Sequence, residues 1–237
     1  AGRLADMSLG SNCLITDDDI LALQLARQLD EMNQQRRGIE TTMREEALAS
    51  IEQSDPVIKA SVCVYHPDWH QGVVGLVASR LKETYWRPTL AFARSATGEL
   101  RGSGRSIPDV HLRDVLDLVS KRNPGIILKF GGHAMAAGLT LREDAYAQFI
   151  ESFDAAVQEL SGQSRFDPVI ETDGGLESGY ANAEVAELLQ QQVWGAGFPA
   201  PIFRDTFFVR QQRMLKDKHL KLSLERGHQR FDAIWFN

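Results

Sequence analysis

Apolar residues recur at spacings of three, four or their sums through the first quarter of the chain, which is the pattern of one helix face. This stripe consists of Leu25, Leu29, Met32, Ile39, Met43, Ala47 and Ile51. Asp17, Asp18 and Asp19 precede it, and acidic residues favour a helix N-terminus through capping and the helix dipole. The pattern predicts one long connecting helix over residues 16–55. Gly38 is the expected place of any bend, because glycine weakens a helix by about 1 kcal/mol relative to alanine.

After Val57 the pattern changes to short apolar runs that alternate with amphipathic segments, which is typical of a compact α/β unit. Thr97-Gly98 marks a hairpin turn between two of the predicted strands. The predicted strands cover residues 60–65, 89–96, 99–106, 126–130 and 136–141, and the predicted helices cover 72–85, 112–121 and 145–160.

The last part of the chain contains further strand-like runs after a polar segment, 161–168, that carries glycine and proline. The predicted elements here are a strand over 169–172, a helix over 183–192 and strands over 207–214, 220–224 and 231–236. An OB-type barrel needs about five strands. We therefore expect a barrel that is incomplete within this sequence, which reads as part of a longer protein.

Charge is distributed unevenly along the chain. The 237 residues have a net charge of −6, which argues against a globally basic nucleic-acid binder. However, residues 94–142 contain 8 basic and 4 acidic groups, and residues 204–230 contain 8 basic and 3 acidic groups. Local patches of this kind, rather than net charge, set the affinity for phosphate. No segment predicts a membrane span, and two distant cysteines, Cys13 and Cys63, predict reduced thiols in a cytoplasmic protein.

Two short motifs hold residues suited to binding phosphate. The segment Arg101–Ser106 interleaves arginine, glycine and serine, which supply guanidinium groups, hydroxyls and bare backbone amides. Gly131-Gly132-His133 ends an apolar run, and paired glycines let a ligand approach main-chain N–H groups closely. An isolated Gly-Gly-His is explained equally well by a tight strand-to-helix turn with a structural histidine.

These motifs carry a family resemblance. Gly131-Gly132-His133 followed by Ala136-Ala137-Gly138 resembles the signature of the DHHA1 domain, the accessory domain of the DHH phosphoesterases. Residues 69–81, 102–106 and 1–4 extend the resemblance over essentially the whole chain, toward the RecJ family of bacterial single-strand-specific 5′→3′ exonucleases.

The resemblance implies an α/β fold in which a DHHA1-type mixed-sheet domain follows a long connecting helix and precedes an OB-like β-barrel. The implied parts are the tail of a DHH domain over 1–15, the connecting helix over 16–55, the DHHA1 domain over 56–162 and a truncated OB-like nucleic-acid-binding domain over 163–237.

The implied function is that of the substrate-binding C-terminal part of a DNA exonuclease in repair and recombination, which hydrolyses phosphodiester bonds. In the intact enzyme Mn²⁺ or Mg²⁺ is bound by a DHH domain, and this sequence contains no Asp-His-His run. We therefore expect no metal bound by this chain and no nuclease activity from it alone. Single-stranded DNA is the implied partner of a monomeric protein, with single-strand-binding protein and repair helicases as further candidates.

The resemblance also implies residue roles. Ser103 and Arg105 would hold a phosphate of the DNA end, and Gly104 would let their side chains converge. His133 would be the catalytic residue, acting at the scissile phosphate across a cleft. No metal ligand is predicted, and the phosphate-binding candidates are Arg3, Ser103, Gly104, Arg105, Gly131, Gly132 and His133.

Two other functions stay open at this point. A DHH–DHHA1 phosphodiesterase acting on short oligonucleotides or cyclic dinucleotides would share the motifs but normally lacks a downstream barrel, so residues 169–237 argue against it. The second is a non-catalytic module that binds nucleic acid or protein, a description that could apply to this chain on its own.

Overall fold

The structure, a computed structural model, describes residues 2–53, 59–195 and 197–236. The chain divides into two compact units, Ala1–Pro168 and Val169–Asn237. The predicted end of the connecting helix at residue 55 and the predicted start of the next domain at 56 lie outside the described residues.

The first unit begins with two helices, α1 (Ser8–Ile15) and α2 (Asp19–Gln53). Asp18 caps α2, because its Oδ1 accepts the backbone N–H groups of Ile20 and Leu21 at 2.9 and 3.1 Å. α2 runs without a break through Gly38, where an added Cβ would meet nothing within 4 Å. The long helix predicted from the apolar stripe is confirmed.

A five-stranded mixed sheet follows. Its strands are β1 (Val62–His66), β2 (Thr89–Arg94), β3 (Leu100–Arg105), β4 (Ile127–Gly132) and β5 (Ala136–Leu141). They lie in the order β1-β2-β3-β5-β4, so that β3 is central. β1 and β2 are parallel and the other neighbours are antiparallel. The accompanying helices are α3 (Val74–Tyr85), α4 (Leu112–Arg122), α5 (Tyr146–Ser161) and a 3₁₀ turn, Glu143–Ala145.

Helices cover the two faces of this sheet unequally. One face packs against α4 and α5 through large side chains that include Phe92, Leu116, Leu139, Phe149 and Phe153. The other face packs against α2 and α3, through residues that include Met43, Val64, Val77, Leu81 and Ala91. Burying each large side chain contributes about 1.5–3 kcal/mol. On the α3 side, Arg101 of β3, Lys129 and Gly131 of β4 and Gly138 of β5 stay exposed.

Two glycines of β3 are required by packing against the α4 side. A Cβ at Gly102 would lie 2.4 Å from Phe92 Cε1, and a Cβ at Gly104 would lie 2.6 Å from Leu90 Cδ2 and 2.7 Å from Leu112 Cδ2. Successive side chains of a strand point to opposite faces. Ser103 and Arg105 therefore lie on the α3 side. Gly104, which stands between them, faces the α4 side.

The Gly-Gly-His motif forms a strand-to-strand hairpin rather than a strand-to-helix turn. Gly131 and Gly132 end β4, and residues 133–135 turn into β5. Gly132 has a φ of +146°, and a Cβ there would lie 2.4 Å from the carbonyl oxygen of Ala136, so only glycine fits. The N–H of His133 closes the hairpin by donating to that same oxygen at 2.8 Å.

The second unit contains a 3₁₀ turn (Ser178–Tyr180), α6 (Ala183–Gln190) and an antiparallel sheet of β6 (Phe208–Leu215), β7 (His219–Arg226) and β8 (Gln229–Trp235). The three strands confirm the OB-like part of the prediction. None of the residues described here reaches the burial of the first unit's core.

The prediction of a strand over residues 169–172 was wrong. Val169 and Ile170 are 75% and 73% exposed, and no strand forms there. Backbone pairing begins one residue later, where the N–H of Asp173 donates to the carbonyl of Ile202 at 2.8 Å and the N–H of Arg204 donates to the carbonyl of Gly174 at 2.9 Å. An apolar run forms a strand only where a partner strand supplies its hydrogen bonds.

Gly104→Ala is expected to destabilise the protein by about 1–3 kcal/mol, because the new methyl group overpacks the contact with Leu90 and Leu112. Gly131→Ala is the matched control, since a Cβ there would meet nothing within 4 Å and the cost should stay within about 0.5 kcal/mol. Urea unfolding of both variants measures the difference. Equal destabilisation of the two variants would contradict the packing role assigned to Gly104.

Candidate functional site

The register of the sheet places the candidate residues in rows. Directly paired residues of antiparallel strands lie on the same face, and the face of β3, β5 and β4 on the α3 side is called the open face below. Its three rows are Arg105–Ala136, Ser103–Gly138–Gly131 and Arg101–Thr140–Lys129. Polar and small side chains therefore line the open face, whereas the opposite face is filled by core residues.

Arg105 is a half-buried cation without a carboxylate partner among the described residues. Its Nη1 donates to the carbonyl of Gly104 at 2.7 Å and to Ser103 Oγ at 3.3 Å. Burial lowers the pKa of Arg105 below its ordinary value, and the positive charge of Arg3 lowers it further. An arginine stays protonated at neutral pH despite such a shift. A desolvated cation beside a second cation is an environment that an anion stabilises.

Gly75 of α3 makes room for these two side chains. A Cβ at this position would lie 2.9 Å from Ser103 Oγ and 3.2 Å from Arg105 Nη2. Gly75 belongs to the helix predicted over 72–85, and it was not among the candidate site residues. Its neighbours on β3 come from a different element, so spacing along the chain gave no signal for this contact.

Arg3, from the N-terminal segment, lies against Gly72, two residues before the first residue of α3. Its Nη1 donates to the carbonyl of Gly72 at 3.4 Å, and a Cβ at Gly72 would lie 2.0 Å from the carbonyl oxygen of Arg3. The N-terminal segment thus crosses directly over this glycine. Gly72 precedes Gly75 by three residues, and Gly75 faces Ser103 and Arg105, so Arg3 lies near the same end of α3 as these two side chains. The structure therefore brings together Arg3, Ser103 and Arg105.

His133 is exposed on the hairpin turn between β4 and β5. The carbonyl oxygen of Ala136 accepts the hydrogen bond of the His133 N–H, and Ala136 is paired with Arg105. His133 and Arg105 therefore lie at the same end of the sheet. Two further backbone bonds fix the turn, from Ser106 N–H to Met135 and from Leu112 N–H to Ala134, at 3.0 and 2.8 Å. Gly132 shapes this turn. Gly131 lies in the same row as Ser103 and leaves its part of the open face without a side chain.

The described residues contain no group of three or more histidine, cysteine or acidic side chains that fits a metal ion. In the His66–His70 segment the imidazoles serve local turns, because His66 Nδ1 accepts from Asp68 N–H at 3.3 Å and His70 Nδ1 accepts from Gly72 N–H at 3.1 Å. The part of the chain that is described therefore offers no fit for Mn²⁺ or Mg²⁺. Metal use by an intact enzyme stays a prediction.

Several cations of the second unit already have acidic partners. Arg210 binds Glu225 through two hydrogen bonds of 2.9 and 2.6 Å, and Lys221 lies 2.8 Å from Asp232. The Arg226 guanidinium binds Asp205, donates to the carbonyl of Leu176 at 3.0 Å and lies over the rings of Phe207 and Phe231 at 5.8 and 5.7 Å. Phe207 is therefore a packing residue, while Phe208 and Trp235 are 76% and 71% exposed.

No helix in the described ranges combines the length and apolar character of a membrane span.

Comparison with known proteins matches both units. The DHHA1 domain family matches residues 55–159, and the RecJ OB domain family matches residues 172–237. The single-stranded-DNA-specific exonuclease RecJ of Dickeya dadantii is 45% identical over 243 residues, which cover 100% of this chain and 42% of that protein. The chain thus spans less than half the length of this relative.

Two solved structures match nearly the whole length of this chain. Crystal structures of RecJ from Thermus thermophilus in complex with Mg²⁺ and with Mn²⁺ both give a TM-score of 0.78, at 26% and 27% sequence identity. The matches cover 99% and 98% of this chain and 35% and 33% of those chains.

Inorganic phosphate is expected to raise the melting temperature of the chain, and Arg105→Gln is expected to remove most of this rise. A ligand that binds only the folded state stabilises it by about 2.7 kcal/mol at 100 times its Kd. Thermal unfolding in phosphate and in chloride at equal ionic strength measures the effect. Arg122→Gln, which removes the surface ion pair of α4 with Glu159, serves as the control. A rise that persists in Arg105→Gln would mean that phosphate binds elsewhere.

Proposed function

Because this chain belongs with the C-terminal regions of the RecJ family, as a DHHA1 domain followed by a RecJ OB domain, we propose that it is the substrate-binding part of a single-strand-specific 5′→3′ DNA exonuclease. It binds a DNA end by its phosphate, and the enzyme serves DNA repair and recombination. The observation that supports this most strongly is the half-buried Arg105 beside Arg3 and Ser103, with no carboxylate partner in the described ranges.

The chemistry of this group suits a terminal phosphate. A planar guanidinium donates two parallel hydrogen bonds to phosphate oxygens, and the Ser103 hydroxyl adds a third donor. A terminal phosphate monoester carries a charge of about −1.5 to −2 at neutral pH, whereas an internal phosphodiester carries a single charge. Two neighbouring guanidinium groups, from Arg3 and Arg105, therefore favour the end of a strand over its interior.

His133 is proposed to act at the scissile phosphate. It is exposed on a turn fixed by three backbone hydrogen bonds, at the end of the sheet where Ala136 pairs with Arg105. An imidazolium there would stabilise the charge that develops on the phosphoryl oxygens. Gly132 holds the turn in its shape, and Gly131 leaves the adjoining surface free of a side chain.

The metal chemistry of the enzyme is proposed to come from residues other than those described, since these assemble no metal site. Divalent ions in such enzymes activate water and neutralise developing charge, and the relatives from Thermus thermophilus were solved with Mg²⁺ and Mn²⁺. The isolated chain should bind DNA without cleaving it. We also propose that the intact enzyme is monomeric and cytoplasmic, and that its partners are single-strand-binding protein and repair helicases.

The chain is expected to bind a 5′-phosphorylated single strand of ten nucleotides more tightly than a dinucleotide, and not to shorten it when Mn²⁺ is supplied. Fluorescence anisotropy measures the binding, and a denaturing gel measures the length of the DNA. A preference for the dinucleotide would favour the oligonucleotide phosphodiesterase instead. Cleavage that disappears in His133→Ala would show that the chain holds a complete active site.

In the longer enzyme that includes the metal-binding domain, His133→Ala is expected to lower kcat far more than it raises KM. A contact that strengthens in the transition state contributes to turnover rather than to ground-state binding. Steady-state kinetics on single-stranded DNA provide the measurement. Because the side chain is exposed, the melting temperature should not change, and a variant that loses activity only by unfolding would show a purely structural role.

A further inference from the structure

We propose that Arg101 and Lys129 form a second phosphate-binding row on the open face, which holds the strand beyond its terminal phosphate. The inference rests on the proposed function, because it takes the terminal phosphate to lie at Arg105 and Ser103. It adds the direction in which the strand leaves that position, along β3 and across β5 toward β4.

The register of the sheet supports this row. Arg101 pairs with Thr140, and Thr140 pairs with Lys129 on its other side. All three share the face that carries Ser103 and Arg105. Neighbouring strands lie about 4.8 Å apart, so the backbones of the two basic residues are separated by about 10 Å, with a hydroxyl between them.

The two cations are not neutralised within the described structure. Both are exposed, and neither forms an ion pair with a described carboxylate. At the end of the neighbouring strand, by contrast, Arg94 lies 3.1 Å from Glu143. Two uncompensated cations on one row give this part of the open face a positive potential, which attracts an anion to the space between them.

The surface between the two basic rows carries almost no side chains. Its row is Ser103–Gly138–Gly131; a Cβ at Gly131 would meet nothing within 4 Å, and a Cβ at Gly138 would come no closer than 3.8 Å to another atom. Arg105 and Arg101 are four residues apart on β3, which is about 13 Å. Phosphates bound at the two rows thus leave space for sugars and bases over the glycines.

The double variant Arg101→Gln/Lys129→Gln tests the proposal in the 237-residue chain. Anisotropy titrations use three probes: 5′-phosphorylated dT10, 5′-hydroxyl dT10 and 5′-phosphorylated dT2, each between 50 and 200 mM salt. We expect the affinity for dT10 to fall by at least about tenfold, as for removal of one charge-assisted hydrogen bond. The slope of log K against log salt should flatten by about 0.7 for each phosphate that the variant no longer neutralises. The preference for 5′-phosphate and the affinity for dT2 should not change.

Two controls make the result specific. Arg113→Gln/Lys121→Gln removes the same charge from α4 on the opposite side of the sheet and should leave dT10 binding near that of the wild type. The charge-conserving Arg101→Lys/Lys129→Arg should keep the original salt slope. Circular dichroism melting confirms that each variant is folded.

The outcomes separate the inference from the proposed function. Unchanged dT10 affinity and salt slope in Arg101→Gln/Lys129→Gln would overturn the second row, as would an equal fall in affinity in the α4 control. If the wild-type chain does not distinguish 5′-phosphate from 5′-hydroxyl, or Arg105→Gln keeps that distinction, the proposed terminal-phosphate site fails instead.

Discussion

The close packing of core side chains against β3 on its α4 side is the constraint on which the rest of the first unit depends. Gly102 and Gly104 have no Cβ, which lets Phe92 and Leu112 approach the central strand of the sheet. Because side chains alternate along a strand, burying these two positions puts the intervening serine on the other side. The same alternation that builds the core therefore presents the polar groups of the candidate site.

Much of this arrangement could be predicted from periodicity. The stripe that includes Met43 and Ala47 predicted α2, and both residues are buried in the structure. The strand containing the Arg-Gly-Ser-Gly-Arg motif was also predicted. The role of its glycines was not, because a glycine that frees its amides for an anion and a glycine required by packing look alike in a sequence. The deciding neighbours, Leu90 and Leu112, belong to other elements.

The second unit shows a different limit. Its basic composition predicted a surface for nucleic acid, yet Arg210 pairs with Glu225 and Lys221 pairs with Asp232. Such pairs are set by strand register, since each joins a residue of β7 to a residue of β6 or β8. A count of charges over a segment does not contain this information. Likewise, the apolar run at Val169 is not distinguishable from a strand until its pairing partners are known.

The contact of Gly75 with Ser103 and Arg105 has a consequence for genetics. A side chain at this position of α3 would push the Ser103 hydroxyl and the Arg105 guanidinium out of place. The helix also supplies Val77 and Leu81 to the core, so it has little freedom to retreat. A screen for variants that no longer bind ligand should therefore return substitutions at Gly75 together with those at Arg105, although the glycine has no side chain with which to bind anything.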